Sequence, residues 1–315
     1  MTTVRVRKYV YARLQAPSLD KMEEFLTDFG MVRSERTKDR LYMRGTDPQP
    51  YLHVTELGPA KPLAFGYYAR SEDDLKALAR LPGASGIENI DEPGGGKRVR
   101  LKDPNGMGIE VLFGQHLLQP MGLPEYKVNW AGDKTRRTEL MRLPTGPAPV
   151  KCAGHGVITT TDIKQTVKWY RETLGLVSSD DIYAGEKDNL IGSFNRLDNG
   201  KEYVDHHVFF ALQAEKSGLN HLSYESRDID SIMIGHNVLK AKGYRHTWGI
   251  GRHLLGSQVF DYWYDPYNVV HEHWADSDVR NEDDPSNLFT PEEGLRNQWG
   301  PELPQEFMEH TIPFA

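Results

Sequence analysis

Three side chains in the later part of this sequence, the imidazoles of His155 and His221 and the carboxylate of Glu272, fall on separate apolar segments where one divalent metal ion could gather them. Two imidazoles and a carboxylate on one side of an ion leave its opposite positions open, which suits Fe(II) centres that bind a substrate and dioxygen together. Glu272 stands between His271 and His273. Because alternate side chains of a strand face opposite ways, the ion takes either the carboxylate or those two imidazoles. The single cysteine, Cys152, excludes a disulfide scaffold, and twelve His beside it point to a reducing compartment, the cytoplasm.

The elements that would hold these groups repeat. Residues 19–30, LDKMEEFLTDFG, and 164–175, KQTVKWYRETLG, each follow a short apolar strand and end in glycine. Leu19, Met22, Phe25 and Phe29 recur at helical spacing, as do Ile163, Val167, Tyr170 and Leu174, so each stretch reads as an amphipathic helix stopped at Gly30 or Gly175. A second helix in each half opens on acidic residues, at Ser71-Glu72-Asp73-Asp74 and at Asp228-Ile229-Asp230. Each half then closes on a hairpin with Asp-Pro in its turn, and Glu110 and Glu272 each stand seven residues after the aspartate of that turn. Matching the halves at their terminal glycines puts Val10 opposite His155 and Phe65 opposite His221, so only the glutamate persists. The second half can hold a divalent ion and the first cannot; the persistence of Glu110 favours the carboxylate over His271 and His273.

Four βαβββ units, two per half, imply an α+β fold whose curved mixed sheets enclose a cleft, with helices on the outer faces. The expected organisation is 1–119 as a non-catalytic pair of modules, 120–150 as a Pro-rich linker, 151–275 as the catalytic pair, and 276–315 as a tail wrapping the surface, anchored by Phe289, Trp299 and Phe307. A net charge of −7 without concentrated Lys and Arg argues against nucleic acid. The start lacks an apolar leader core, and no later run is long enough for a membrane span. Trp169, Tyr170 and Trp248 read as packing.

The run GIGRHLLGSQVFDYWYDPYNVVHEH at 249–273 resembles the signature of the type I extradiol ring-cleaving dioxygenases of the vicinal oxygen chelate superfamily: Gly-x-Gly-Arg-His, a Tyr nine residues past that His, and a Glu ten further on. The resemblance covers most of the chain. It implies that His155, His221 and Glu272 bind Fe(II), with Mn(II) accepting the same ligands. It implies that His253 and Tyr262 hydrogen-bond the substrate oxygens. It also implies a second-sphere acid/base histidine 15 residues before His221, which lands on His206, with His207 the runner-up on the other face. The chain departs from the pattern at Asp261, where an apolar or aromatic residue is usual. The run YWYDPYNVVHEHW and the long tail look most like the branch containing trihydroxytoluene oxygenase.

What the resemblance implies is cleavage of a catechol or hydroxylated catechol beside its vicinal diol, with both atoms of dioxygen inserted, by a homo-oligomer. Two other functions fit the same fold: a metal-dependent isomerase of the glyoxalase kind, and a non-catalytic protein that sequesters aromatic or metal-chelating compounds.

Overall fold

Four times along the chain a strand runs into a helix and then into three or four further strands. The structure is a computed structural model and describes residues 4–123 and 126–314. Residues 1–3, 124–125 and 315, which fall in the expected first domain, linker and tail, lie outside the described residues. The first module comprises β1 (Val6–Ala16), α1 (Leu19–Asp28), β2 (Val32–Arg36), β3 (Arg40–Arg44) and β4 (His53–Leu57), and the second β5 (Lys61–Ala69), α2 (Glu72–Leu78), β6 (Glu88–Asn89), β7 (Lys97–Lys102) and β8 (Gly108–Phe113). The third comprises β9 (Val150–Thr160), α3 (Ile163–Leu174), β10 (Val177–Tyr183), β11 (Leu190–Arg196), β12 (Val204–Asp205) and β13 (Phe209–Gln213). The fourth comprises β14 (Gly218–Ser226), α4 (Ile229–Ala241), β15 (His246–His253), β16 (Val259–Tyr264) and β17 (Val270–Ala275). Beyond it lie β18 (Val279–Arg280), β19 (Asn287–Phe289), α5 (Pro291–Gly294), β20 (Asn297–Trp299), α6 (Gln305–Met308) and β21 (Ile312–Pro313).

The fold is α+β, dominated by two mixed sheets. One has eight strands in the order β2-β3-β4-β1-β5-β8-β7-β6; the other has eleven, in the order β19-β10-β11-β13-β9-β14-β17-β16-β15-β20 with β21 on β14. The pairing repeats between them. β1 runs parallel to β4 and antiparallel to β5, which runs parallel to β8; β9, β13, β14 and β17 repeat that scheme. The helices of the four modules each start at a side-chain cap, with Ser18, Ser71, Asp162 and Asp228 accepting from backbone N–H groups three residues on. Among the described residues no helix is long and apolar enough to cross a membrane.

The periodic apolar residues of α1 and α3 are buried, but the helices cover a shared face, not only an outer one. Phe29, which caps α1, stacks on His273 of β17 at 3.6 Å between ring centroids, and Tyr244, just past α4, donates to Asp28 at 3.0 Å. The two sheets therefore join through their helix-covered sides. Residues 114–149, where described, form no helix or strand.

Strand register corrects the match between halves. α1 has 10 residues and its C-cap is Phe29, one short of Gly30, whereas α3 has 12 and its C-cap is Gly175 itself, with φ of 71°. The terminal glycines are thus out of step. Aligning the N-caps Ser18 and Asp162 puts Tyr11, not Val10, at the place of His155. His221 pairs with Val270, two residues before Glu272, and Ala64 pairs with Gly108, two before Glu110, so Ala64, not Phe65, matches His221. Phe65 faces the other way and packs on Gly156 of β9, where any Cβ would come within 2.4 Å of its ring.

In the first half the matching cleft is filled by charge of the protein's own making. The Tyr11 hydroxyl donates to Glu110. Arg13 Nε and Arg98 Nη1 lie 3.2 and 3.4 Å from Glu110 Oε2, and Arg13 Nη2 is 2.7 Å from Glu92 Oε2. These groups are buried. Removing one partner of a buried ion network leaves a charge without compensation. Arg13→Met is therefore expected to lower stability by about 3 kcal/mol, read as a reduced urea midpoint, without changing the divalent metal content of the protein.

Candidate metal centre

His155 on β9, His221 on β14 and Glu272 on β17 sit on three adjacent strands of the larger sheet and converge. His155 Nε2 lies 2.9 Å and His221 Nε2 3.7 Å from Glu272 Oε2, and all three residues are buried. Their donor atoms fall within 4.8 Å of one another. His221 Nε2 and both oxygens of Glu272 have no hydrogen-bond partner. Buried polar atoms without partners are costly, and three that face one another from a carboxylate and an imidazole fit a single divalent ion. Burial pushes the Glu272 carboxyl up, yet His155, His221 and His253 outweigh it and hold it at about 2. Burial, opposed by Glu272, lowers His221 to about 3. At neutral pH the site offers one carboxylate and neutral imidazole nitrogen, the forms that ligate metal.

Asn220 sets the orientation of His221. Its amide nitrogen donates to the carbonyls of Phe307 and His310 at 3.2 and 2.8 Å, so its oxygen is left to accept from His221 Nδ1 at 2.7 Å. That places the proton on Nδ1 and the lone pair on Nε2, facing Glu272. His271 and His273 point to the opposite face: His271 Nε2 is 3.2 Å from Asp265, and His273 Nε2 donates to Phe29 O at 2.6 Å.

Beside the triad is a cavity of about 700 Å³ counted out to its mouth, lined mostly by apolar groups with His207, His253 and Tyr262 among them. His253 Nε2 and the Tyr262 hydroxyl are 3.0 Å apart. Burial first, then the charge of Glu272, raises the Tyr262 phenol well above its ordinary value, so it stays a donor; burial lowers His253 to about 4, so its ring is neutral. Trp248, expected to be packing alone, forms cavity wall and stacks on Tyr262 at 5.4 Å.

The two candidate second-sphere histidines, His206 and its runner-up His207, face different ways. His206 is turned out of the cavity, with Nε2 2.6 Å from Asp180 and no exposed surface, whereas His207 lines the cavity with its ring 4.1 Å from that of His155. The reason is a break in the strand. β12 stops at Asp205 and β13 begins only at Phe209, so alternation does not carry through the pair. The tail also differs from a surface wrap. Its strands β19, β20 and β21 extend the larger sheet, and Gly294, Leu295, Leu303, Phe307 and Met308 close the cavity. Phe307 is buried, but Trp299 is about half exposed and anchors little.

Metapyrocatechase 2 of Cupriavidus necator is 28% identical over 302 residues, covering 95% of this chain and 90% of that protein. The chain is thus similar along nearly its whole length to a metapyrocatechase. A second similar protein, a manganese-dependent 2,3-dihydroxybiphenyl 1,2-dioxygenase of Geobacillus genomosp. 3, is 23% identical over 84% of this chain and 83% of its own. Among solved structures, homoprotocatechuate 2,3-dioxygenase of Brevibacterium fuscum superposes with a TM-score of 0.81 at 18% identity, covering 98% of this chain and 93% of that one. The Mn(II)-bound glyoxalase of Novosphingobium aromaticivorans gives 0.79 at 22% identity over 99% and 98%. Both likenesses establish the vicinal oxygen chelate fold. No protein-family model matches the chain.

Asn220 is the residue that motif spacing passed over, although its place beside His221 was a usable signal. Asn220→Ala removes the acceptor that fixes the imidazole, and metal affinity is expected to fall by about 10- to 100-fold, measured by competition with a chromophoric chelator.

Proposed function

We propose that the chain is an extradiol dioxygenase that opens the ring of a catechol or hydroxylated catechol beside its vicinal diol. The observation that carries the reading is the convergence of His155, His221 and Glu272, with unpartnered donor atoms, at the wall of an apolar cavity that also holds His253 and Tyr262. In it these three side chains hold Fe(II) or Mn(II). When bound, the ion supplies Lewis acidity that favours the ionised diol and a shared site for diol and dioxygen.

The protein's own groups do the rest. The apolar walls Phe194, Phe210, Leu303 and Phe307 take the ring and exclude water. Tyr262, held protonated, donates to a substrate oxygen; His253, neutral, accepts the proton a diol gives up on binding. His207 shares its Nδ1 with His206 at 3.1 Å, which leaves Nε2 to receive and return a proton at the oxygen side of the cavity. Both atoms of dioxygen enter the ring-opened semialdehyde acid, so no external reductant is consumed. The division into a non-catalytic 1–119 and a catalytic 151–275 belongs to this reading, supported by the Tyr11–Arg13–Glu110 filling of the first cleft. So does a cytoplasmic homo-oligomer, on the family likeness and the lone buried Cys152.

The test is oxygen uptake by the Fe(II)-loaded protein with a panel of substituted catechols and trihydroxybenzenes, followed by a yellow ring-fission product. Uptake with at least one diol, abolished in His155→Ala, is expected; turnover under strict anaerobiosis would replace the reading with a glyoxalase-type isomerase. His207→Asn is expected to lower kcat by about 10²-fold or more, whereas His206→Asn lowers thermal stability and spares kcat. The reverse pattern would return the acid/base role to His206.

A further inference from the structure

Asp261, the position that departs from the family pattern, does not face the cavity. β16 alternates its side chains, so Tyr262 looks into the candidate metal centre and Asp261, paired across to His273, looks to the side covered by α4. There it meets two imidazoles. His246 Nε2, at the start of β15, is 2.8 Å from Asp261 Oδ1, and His236 Nδ1, on α4, is 3.3 Å from the same oxygen and 3.2 Å from Oδ2. The three donor atoms lie within 4.8 Å of one another, the second such group among the described residues.

We propose that His236, His246 and Asp261 form a second divalent-cation site, of the borderline class that Zn²⁺ represents, separate from the site at His155. Imidazole and carboxylate donors suit that class. Donors on a tetrahedral Zn²⁺ with bonds of about 2.0–2.1 Å stand about 3.3 Å apart, close to the separations found. The Asp261 carboxylate has no exposed surface, while His236 and His246 are 18% and 30% exposed at their side chains. The carboxylate thus forms the floor, and the two imidazoles form a rim that a hydrated ion can reach. The second oxygen is already engaged: the Trp263 indole N–H donates to Oδ2 at 2.6 Å. That leaves Oδ1 as the single ligating oxygen and Trp263 as its outer support. The two imidazole planes cross at 79° with centroids 5.1 Å apart, so the rings approach the carboxylate from different sides. Burial would raise the Asp261 carboxyl, but hydrogen bonds from His236, His246 and Trp263 hold it below its ordinary value, so the oxygen is ionised at neutral pH.

An ion here would tie α4 to the β15–β16 hairpin from behind. That hairpin carries His253 and Tyr262 on its cavity side. The site is a clasp for the cavity wall, with no role assigned in the chemistry.

The full chain, stripped with a chelator, is titrated with Zn²⁺ against a chromophoric competitor. Two equivalents per chain are expected for the wild type, and one for His236→Gln/His246→Gln, whose amides keep a hydrogen bond to Asp261 but ligate poorly. His155→Ala/His221→Ala is expected to retain one equivalent, and Zn²⁺ is expected to raise its Tm; that rise disappears when the two Gln substitutions are added. Saturation of the wild type at one equivalent, or a second equivalent unaltered in His236→Gln/His246→Gln, would show that the cluster is a hydrogen-bonded anchor for Asp261 and overturn the proposal. The wild type and the Gln pair decide the matter even if the alanine variant does not fold.

Discussion

A carboxylate with no exposed surface and no hydrogen-bond donor governs this structure. Burying Glu272 in that state costs several kcal/mol unless positive charge or ligand donors surround it, and its surroundings consist of imidazoles from β9, β14 and β15 together with one phenol. The strand order β9-β14-β17-β16-β15 brings all of them to one patch, because neighbouring strands lie about 4.8 Å apart and present their side chains at that interval. Shifting any of these pairings by one residue would send its donor to the helix side of the sheet.

The same scaffold solves the same problem in two ways. In the first half Glu110 holds the position of Glu272, but Tyr11 and the guanidinium groups of Arg13 and Arg98 supply permanent positive charge and hydrogen bonds. That carboxylate is satisfied inside the protein. In the second half His155 takes the place of Tyr11 and His221 that of Ala64, and both oxygens of Glu272 are left without a hydrogen-bond partner. Duplication preserved the backbone geometry, and side-chain chemistry decided which cleft accepts a cation.

β16 shows how one strand serves two environments. Tyr262 meets the cavity, and Asp261, its neighbour, meets α4 and the two outer histidines. The terminal segment completes the arrangement: its backbone carbonyls at Phe307 and His310 orient Asn220, which orients His221. The segment therefore reaches the centre through hydrogen bonds as well as through the apolar groups with which it closes the cavity.

The repeat of strand, capped helix and Asp-Pro hairpin was legible in the residues themselves, because helix periodicity, caps and turn chemistry are local properties. The His155, His221, Glu272 set was legible too, since only in the second half do imidazoles accompany the repeated glutamate. Resemblance contributed His253 and Tyr262 at their matching spacings. What the chain order could not carry was register and facing. Helices of unequal length put Tyr11 and Ala64, not Val10 and Phe65, at the matched positions; the gap between β12 and β13 turned His207 inward and His206 to Asp180; and the tail became part of the sheet. These depend on hydrogen bonds between segments far apart in sequence, which no local pattern encodes, so the kinds of donor followed from composition and spacing while their directions were set by pairing across the sheet.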